Sequence, residues 1–304
     1  MITLENEKIK VSIGTGRGAK VVSFIDKETG KDWVWKPENL ETKVYGKTLG
    51  LGEGFDDNWE GGWEEVFPND APTEVEGYKL VDHGEVWRRS WQQEETNNSQ
   101  SVSFSINCES YPMFMKKKYT LDENISELKI DYEIESRAPK SLPYIFKLHP
   151  ALSIEPGDEV KMPKAMMEPV ALGFSRILAQ DKKTSFPKGL NDKGEEVCIN
   201  KIMENDGEKR EFVKVSDFSE GRAGLLNQRT KKELRFQFSK EVLPHVWLFQ
   251  SYGGFMNHYV SMIEPTNAGH YDLALASDKG QCGIINSGEK KKFSISIKLC
   301  DLKE

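Results

Sequence analysis

Four side chains combine the chemistry to move a proton with a place in or beside an apolar strand-like stretch: His83, His149, Glu264 and Glu289. His149 lies in LPYIFKLHPALSI, residues 142–154, which alternates like a half-buried strand. Tyr144, Phe146 and Leu148 take one face of it, and Ile145, Lys147 and His149 take the other. His83 shares one face of a second strand-like stretch, 78–91, with Glu85, Trp87 and Arg89. Glu264 closes an apolar strand just before Pro265, and Glu289 stands in the turn Asn-Ser-Gly-Glu ahead of the last strand. A histidine opposite a carboxylate, with a second histidine and carboxylate to hold the substrate, suits proton transfer on a polyol near neutral pH.

The walls of such a site have candidates too. Trp247 is one. The stretch 50–72, GLGEGFDDNWEGGWEEVFPNDAP, reads as a long irregular loop in which aromatic rings alternate with carboxylates and amides, as a sugar site requires. Trp59 and Trp63 can stack on the apolar face of a pyranose, while Asp56, Asp57, Glu64, Glu65 and Asn69 can meet hydroxyls. A tryptophan-stapled loop covering a sheet edge accounts equally well for the same residues.

Other chemistries find little purchase. There is no nucleophile elbow and no H-E-x-x-H, and His245, His258 and His270 do not fall at the spacing of helical metal ligands, so no metal is expected. Gly14, Gly16 and Gly18 are followed by a β-branched, alternating segment instead of the helix a dinucleotide site needs. Arg88 and Arg89 are adjacent, so on a strand they point to opposite faces and cannot clamp one phosphate together. A net charge of -7 without a long basic run argues against nucleic acid. No apolar run reaches 18 residues and the N-terminus MITLENEKIK lacks a leader's apolar stretch, so a cytoplasmic protein away from membranes is expected. The four cysteines are widely spaced without a C-x-x-C pair and read as free thiols.

The elements that must carry these side chains are strands. Alternation marks them near 101–107, 113–120, 127–135, 210–216, 233–238, 243–252 and 258–264, and most clearly in the terminal KKFSISIKL. RAGLLNQ and ELRFQFS are placed as a hairpin across T-K-K. No helical period persists beyond about ten residues, and no repeat or linker divides the chain. The expectation is an all-β protein with few short helices, one domain over 1–304.

Taken together, GAKVVSFIDKETGKDWVW, GGWEEVFPN, DHGEVW, KLHPAL, YVSMIEP and NSGEKKKFSISIKL, in this order and spacing, resemble the aldose 1-epimerases, or galactose mutarotase-like proteins. The resemblance implies a β-supersandwich that interconverts the anomers of an aldose in carbohydrate metabolism, without metal or cofactor. It implies that His149 protonates the ring oxygen, that Glu289 removes the proton of the anomeric hydroxyl, and that His83 contacts the ring or a neighbouring hydroxyl. Glu264, Trp247, Trp63, Glu65 and Asn69 are expected around the sugar. The expected partner is a monosaccharide, and the expected state a monomer or homodimer. Two other readings use the same fold: a carbohydrate-binding protein without turnover, and a hexose-phosphate mutarotase drawing on Arg88, Arg89 and Lys147. Catalysis requires His149 and Glu289 to face one pocket; a Glu289 on an exposed edge turn favours binding alone.

Overall fold

The structure, a computed structural model, describes residues 1–37, 48–95 and 98–302. Among these, strands dominate and only two short helices occur, Phe55–Asn58 and Leu273–Asp278. A ten-stranded sheet runs in the order Ile2–Glu5, Ile9–Ile13, Val21–Asp26, Trp63–Val66, Lys147–Leu152, Tyr259–Thr266, His245–Tyr252, Arg210–Ser216, Met166–Pro169 and Thr184–Ser185. An eight-stranded sheet runs Glu159–Lys161, Arg222–Asn227, Lys232–Phe238, Lys290–Asp301, Glu127–Ser136, Met113–Leu121, Ser101–Asn107 and Gln92–Glu94. Neither closes on itself, so the protein is all-β, as alternation implied, and an open sandwich, as the resemblance implied.

The period of two decides what each face buries. In Glu127–Ser136, Leu128, Ile130, Tyr132 and Ile134 turn inward, and their partners across the ladder, Ile297, Ile295, Phe293 and Lys291, continue the same face. Trp63 of the ten-stranded sheet packs on Phe236, and Phe146, just before the strand Lys147–Leu152, packs on Tyr132, so the main core fills the space between the sheets. The other face of the ten-stranded sheet holds a second, smaller cluster: Phe55, Trp59, Trp87, Ala151, Phe249, Val260 and Met262.

Two expected strands are broken. The stretch 78–91 is a strand only over Tyr78–Leu80, because Asp82-His83-Gly84 forms a tight turn with His83 and Gly84 both left-handed, at φ 55° and 64°. Gly84 is obligatory there, since a Cβ would lie 2.1 Å from the Phe67 carbonyl oxygen. The stretch 142–154 splits into Leu142–Tyr144, which pairs with Gly283–Ile285, and Lys147–Leu152, which joins the large sheet. The acidic loop is also more ordered than its sequence suggests, supplying one turn of helix and the strand Trp63–Val66. The hairpin of Arg222–Asn227 with Lys232–Phe238 forms as expected. All four cysteines are unpaired, and no helix among the described residues is long and apolar enough to cross a membrane.

Candidate functional site

Strand register builds the site. Glu64 pairs directly with His149. Lys147 opposite Thr266 and Ala151 opposite Met262 put Glu264 at the level of His149 on the next strand, and Trp247 is the partner of Glu264 on the one after. Directly opposed residues share a face, so Glu64, His149, Glu264 and Trp247 form one row across four strands. Ala151 and Met262 floor the neighbouring row, beside Phe249.

The contacts follow this order. His149 Nε2 lies 3.9 Å from Glu264 Oε1. Lys147, two residues along the same strand, places Nζ 3.1 Å from Glu264 Oε2 and 2.5 Å from Asp70 Oδ2, and 3.9 Å from the centre of the Trp247 ring. Glu64 accepts from Lys20 Nζ at 2.9 Å. His149, Glu264, Lys147 and Glu64 are all buried, and His149 Nδ1 and Glu64 Oε1 have no hydrogen-bond partner among the described residues.

The helix Phe55–Asn58 and the turn at His83 form the roof. Phe55 stacks on His83 at 3.9 Å and 6° and meets His149 edge-on at 5.5 Å. Trp59 meets His149 edge-on at 6.0 Å and stacks on Trp35 at 4.9 Å. Gly61 allows that last stack, because a Cβ there would lie 2.4 Å from the Trp35 carbonyl oxygen. His83 Nδ1 is 2.9 Å from Asp82, Nε2 is 3.8 Å from Asp70, and the two histidine rings are 5.9 Å apart.

Burial and charge set these groups differently. Burial pushes His149 well below the usual histidine range, and the cations His83, Lys147 and Lys20 push the same way. Burial also lowers His83, but its bond to Asp82 and the charges of Asp70 and Asp82 outweigh it and leave the imidazole more basic than usual. Glu264 is raised by burial against the pull of Lys147. Burial disfavours the Lys147 ammonium too, yet Asp70 and Glu264 together raise its proton affinity. Among the described residues no group of three or more histidine, cysteine or acidic side chains is placed to hold a metal ion.

Of the side chains expected around a sugar, His149, His83, Glu264 and Trp247 come together, with Trp59 as a wall. The others do not join them. Glu289 sits in its own edge turn, where a carboxylate oxygen accepts from the Asn286 backbone at 2.7 Å and Lys291 lies 3.7 Å away; a third of its side chain is exposed. It lines a separate depression with Tyr144, Cys282, Lys291 and Phe293. Its place in that turn, ahead of a strand of the eight-stranded sheet, sets it apart from the row that carries His149. Glu65 and Trp63 alternate with Glu64 and therefore point into the core between the sheets, Glu65 to Lys117 and Tyr132, Trp63 to Phe24 and Phe236. Asn69 ties a turn together through the carbonyl oxygens of Ala71 and Val81. Lys147 was legible as a neighbour of His149 by alternation, and its tie to Glu264 was not. Asp70, Asp82 and Phe55 carried no local signal, because the first two reach the site through irregular backbone and Phe55 through a single short helix.

Residues 61–173 match the sequence profile of the aldose 1-epimerase family. No curated protein matches the sequence. Among solved structures, the Slr1438 protein of Synechocystis sp. PCC 6803 aligns with a TM-score of 0.72 at 14% identity, over 98% of this chain and 94% of its own. A galactose mutarotase-like protein of Lactobacillus casei aligns with 0.68 at 14%, over 99% and 100%. A GalM/aldose epimerase homologue of C. elegans aligns with 0.65 at 12%, over 99% of each chain. At such identities the likeness is one of fold. The chain thus has the galactose mutarotase-like fold over nearly its whole length, and residues 61–173 of it are similar to the aldose 1-epimerase family.

Proposed function

We propose that the protein interconverts the α and β anomers of an unphosphorylated aldose by acid/base ring opening, with Glu264 and His149 as the reacting pair. The observation that carries this reading is the 3.9 Å approach of His149 Nε2 to Glu264 Oε1 on one face of the sheet, under a roof of aromatic rings. Glu264 takes the proton of the C1 hydroxyl as His149 gives one to the ring oxygen. The bond from C1 to the ring oxygen breaks, C1 becomes a carbonyl, rotation about C1–C2 exposes its other face, and closure returns both protons.

The pair needs one proton between its two groups, and its apparent pKa values belong to the pair. Burial favours the uncharged forms, protonated Glu264 with neutral His149, which is the state ring opening generates. The Lys147 ammonium favours the Glu264 carboxylate while also disfavouring the His149 imidazolium. His83, held by Asp82, contributes a donor beside the ring. Glu289, given the base's role by resemblance, stands in its own edge turn over a separate depression, one oxygen accepting from the Asn286 backbone.

The three cations on which the hexose-phosphate alternative drew are all engaged within the protein. Arg88 donates to the carbonyl oxygens of Gly50 and Asp82, Arg89 pairs with Glu109, and Lys147 lies between two carboxylates. The deciding experiment follows the optical rotation of freshly dissolved α-anomers of galactose, glucose and several pentoses, with and without protein. Acceleration lost in His149→Asn supports the reading, and sugar binding without acceleration would replace it by the binding-protein reading.

A further inference from the structure

The row that carries the reacting pair continues beyond it on one side. In strand order it runs Glu64, His149, Glu264, so a carboxylate flanks the imidazole on each neighbouring strand. The reacting pair uses only one of the two. Glu64 gives Oε2 to Lys20 Nζ at 2.9 Å, while its Oε1 is buried and has no hydrogen-bond partner among the described residues. Lys20 also lies 3.8 Å from Glu60, which pairs with Arg17 at 2.5 Å. Two cations therefore balance two carboxylates on this side of His149.

Donors lie on the same side. Trp59 and Trp87 pack on Phe55 at 5.9 and 4.7 Å, and Arg17 lies over the Trp87 ring at 5.4 Å. Each of these two indoles keeps a buried N–H without a partner among the described residues. Buried polar atoms left unpaired are costly and rare, so several around one site mark where a ligand's polar group completes the bonding. An unpaired acceptor with unpaired donors suits a hydroxyl, which both gives and accepts hydrogen bonds. A phosphate or carboxylate group would meet the charge of Glu64 instead.

Ring opening itself decides which hydroxyl this is. With the C1 hydroxyl at Glu264 and the ring oxygen at His149, C5 lies beyond the ring oxygen, away from C1. Along the row that direction leads to Glu64, and in a hexopyranose C5 carries the 6-hydroxymethyl group. We infer that Glu64 is a specificity-determining residue whose Oε1 accepts the proton of the 6-hydroxyl, so that the substrate is a hexose with that hydroxyl free. The inference rests on the anomerase reading of His149 and Glu264, and the test separates the two.

Anomerisation is followed for galactose and glucose, each beside its 6-deoxy analogue, with the wild type, Glu64→Gln and Glu64→Leu. The hexose that is turned over should exceed its 6-deoxy analogue in kcat/KM by about tenfold or more, the scale of a hydrogen bond to a charged group. Glutamine, an uncharged acceptor, should narrow that ratio to a few-fold, and leucine should bring it to about one. Taking the ratio within each protein cancels any loss of folded molecules. A wild-type ratio near one overturns the assignment, as does a ratio that Glu64→Gln keeps in full. If no hexose is anomerised, the reading of the reacting pair fails, and calorimetry with the same sugars decides the role of Glu64 alone. Tighter binding of a hexose than of its 6-deoxy analogue, narrowed in Glu64→Gln, supports it; equal binding of the two, or binding of neither, overturns it.

Discussion

Two buried lysines, Lys117 and Lys147, divide the molecule between them. Lys117 lies in the core between the sheets, 2.5 Å from Glu65 and 2.8 Å from the Gly18 carbonyl oxygen, with Tyr132 donating to the other oxygen of Glu65 at 2.9 Å. Lys147 lies on the opposite face of the ten-stranded sheet, between Asp70 and Glu264. Burial dominates both members of the first pair, lowering Lys117 and raising Glu65, with one carboxylate too few to hold the charge firmly. Two carboxylates at Lys147 reverse that balance and raise it. The first pair is sealed by packing, whereas the second adjoins two histidines, one of them partly exposed. A buried ion pair therefore marks chemistry only where a proton acceptor and an opening adjoin it.

Breaking the sealed pair should have the largest effect. Lys117→Met leaves Glu65 unpaired in the core and should cost about 3–5 kcal/mol of stability, read by denaturant unfolding, with the anomerisation rate per folded molecule unchanged. A similar loss of activity at full stability would erase the distinction between the two lysines.

The reacting pair comes next. Glu264→Gln and His149→Asn should each slow anomerisation by about a hundredfold or more, the usual scale for losing a general base or acid. Circular dichroism should show both variants folded. Wild-type rates in either would remove that residue from the mechanism.

Lys147→Gln sharpens the comparison through pH. It keeps a donor for Asp70 and Glu264 but removes the charge that favours the Glu264 carboxylate. Glu264 then holds its proton to higher pH, so the acidic limb of kcat/KM moves upward in pH and activity at neutrality falls roughly tenfold. Lys147→Arg, which retains the charge, should restore much of the limb. A uniform loss at every pH would make Lys147 merely structural.

The smallest effect is expected from Glu289→Gln, within about twofold of wild type, because surface substitutions away from such features are usually mild. A hundredfold loss there would return the base's role to Glu289 and move the site to the depression it lines with Tyr144 and Lys291.

Some of this was readable in the chain. The terminal KKFSISIKL forms part of the strand Lys290–Asp301, and the shared face of Lys147 and His149 follows from a period of two. Glu64 and Glu65 show where that reading stops. Their identical type and adjacent places promise two hydroxyl ligands, yet alternation sends one beside His149 and the other into the core. Which face is which depends on the layer that covers it. His83 shows the opposite failure, since a turn residue at φ 55° brings it to the site where a continuous strand was expected.

By itself, then, the sequence determined the all-β class, the strand faces and the histidines able to exchange protons, because period and residue type are local properties. Only the tertiary structure decided that Glu264 and not Glu289 stands beside His149. Register between strands more than a hundred residues apart is set by the packing of whole sheets, and no local pattern encodes it.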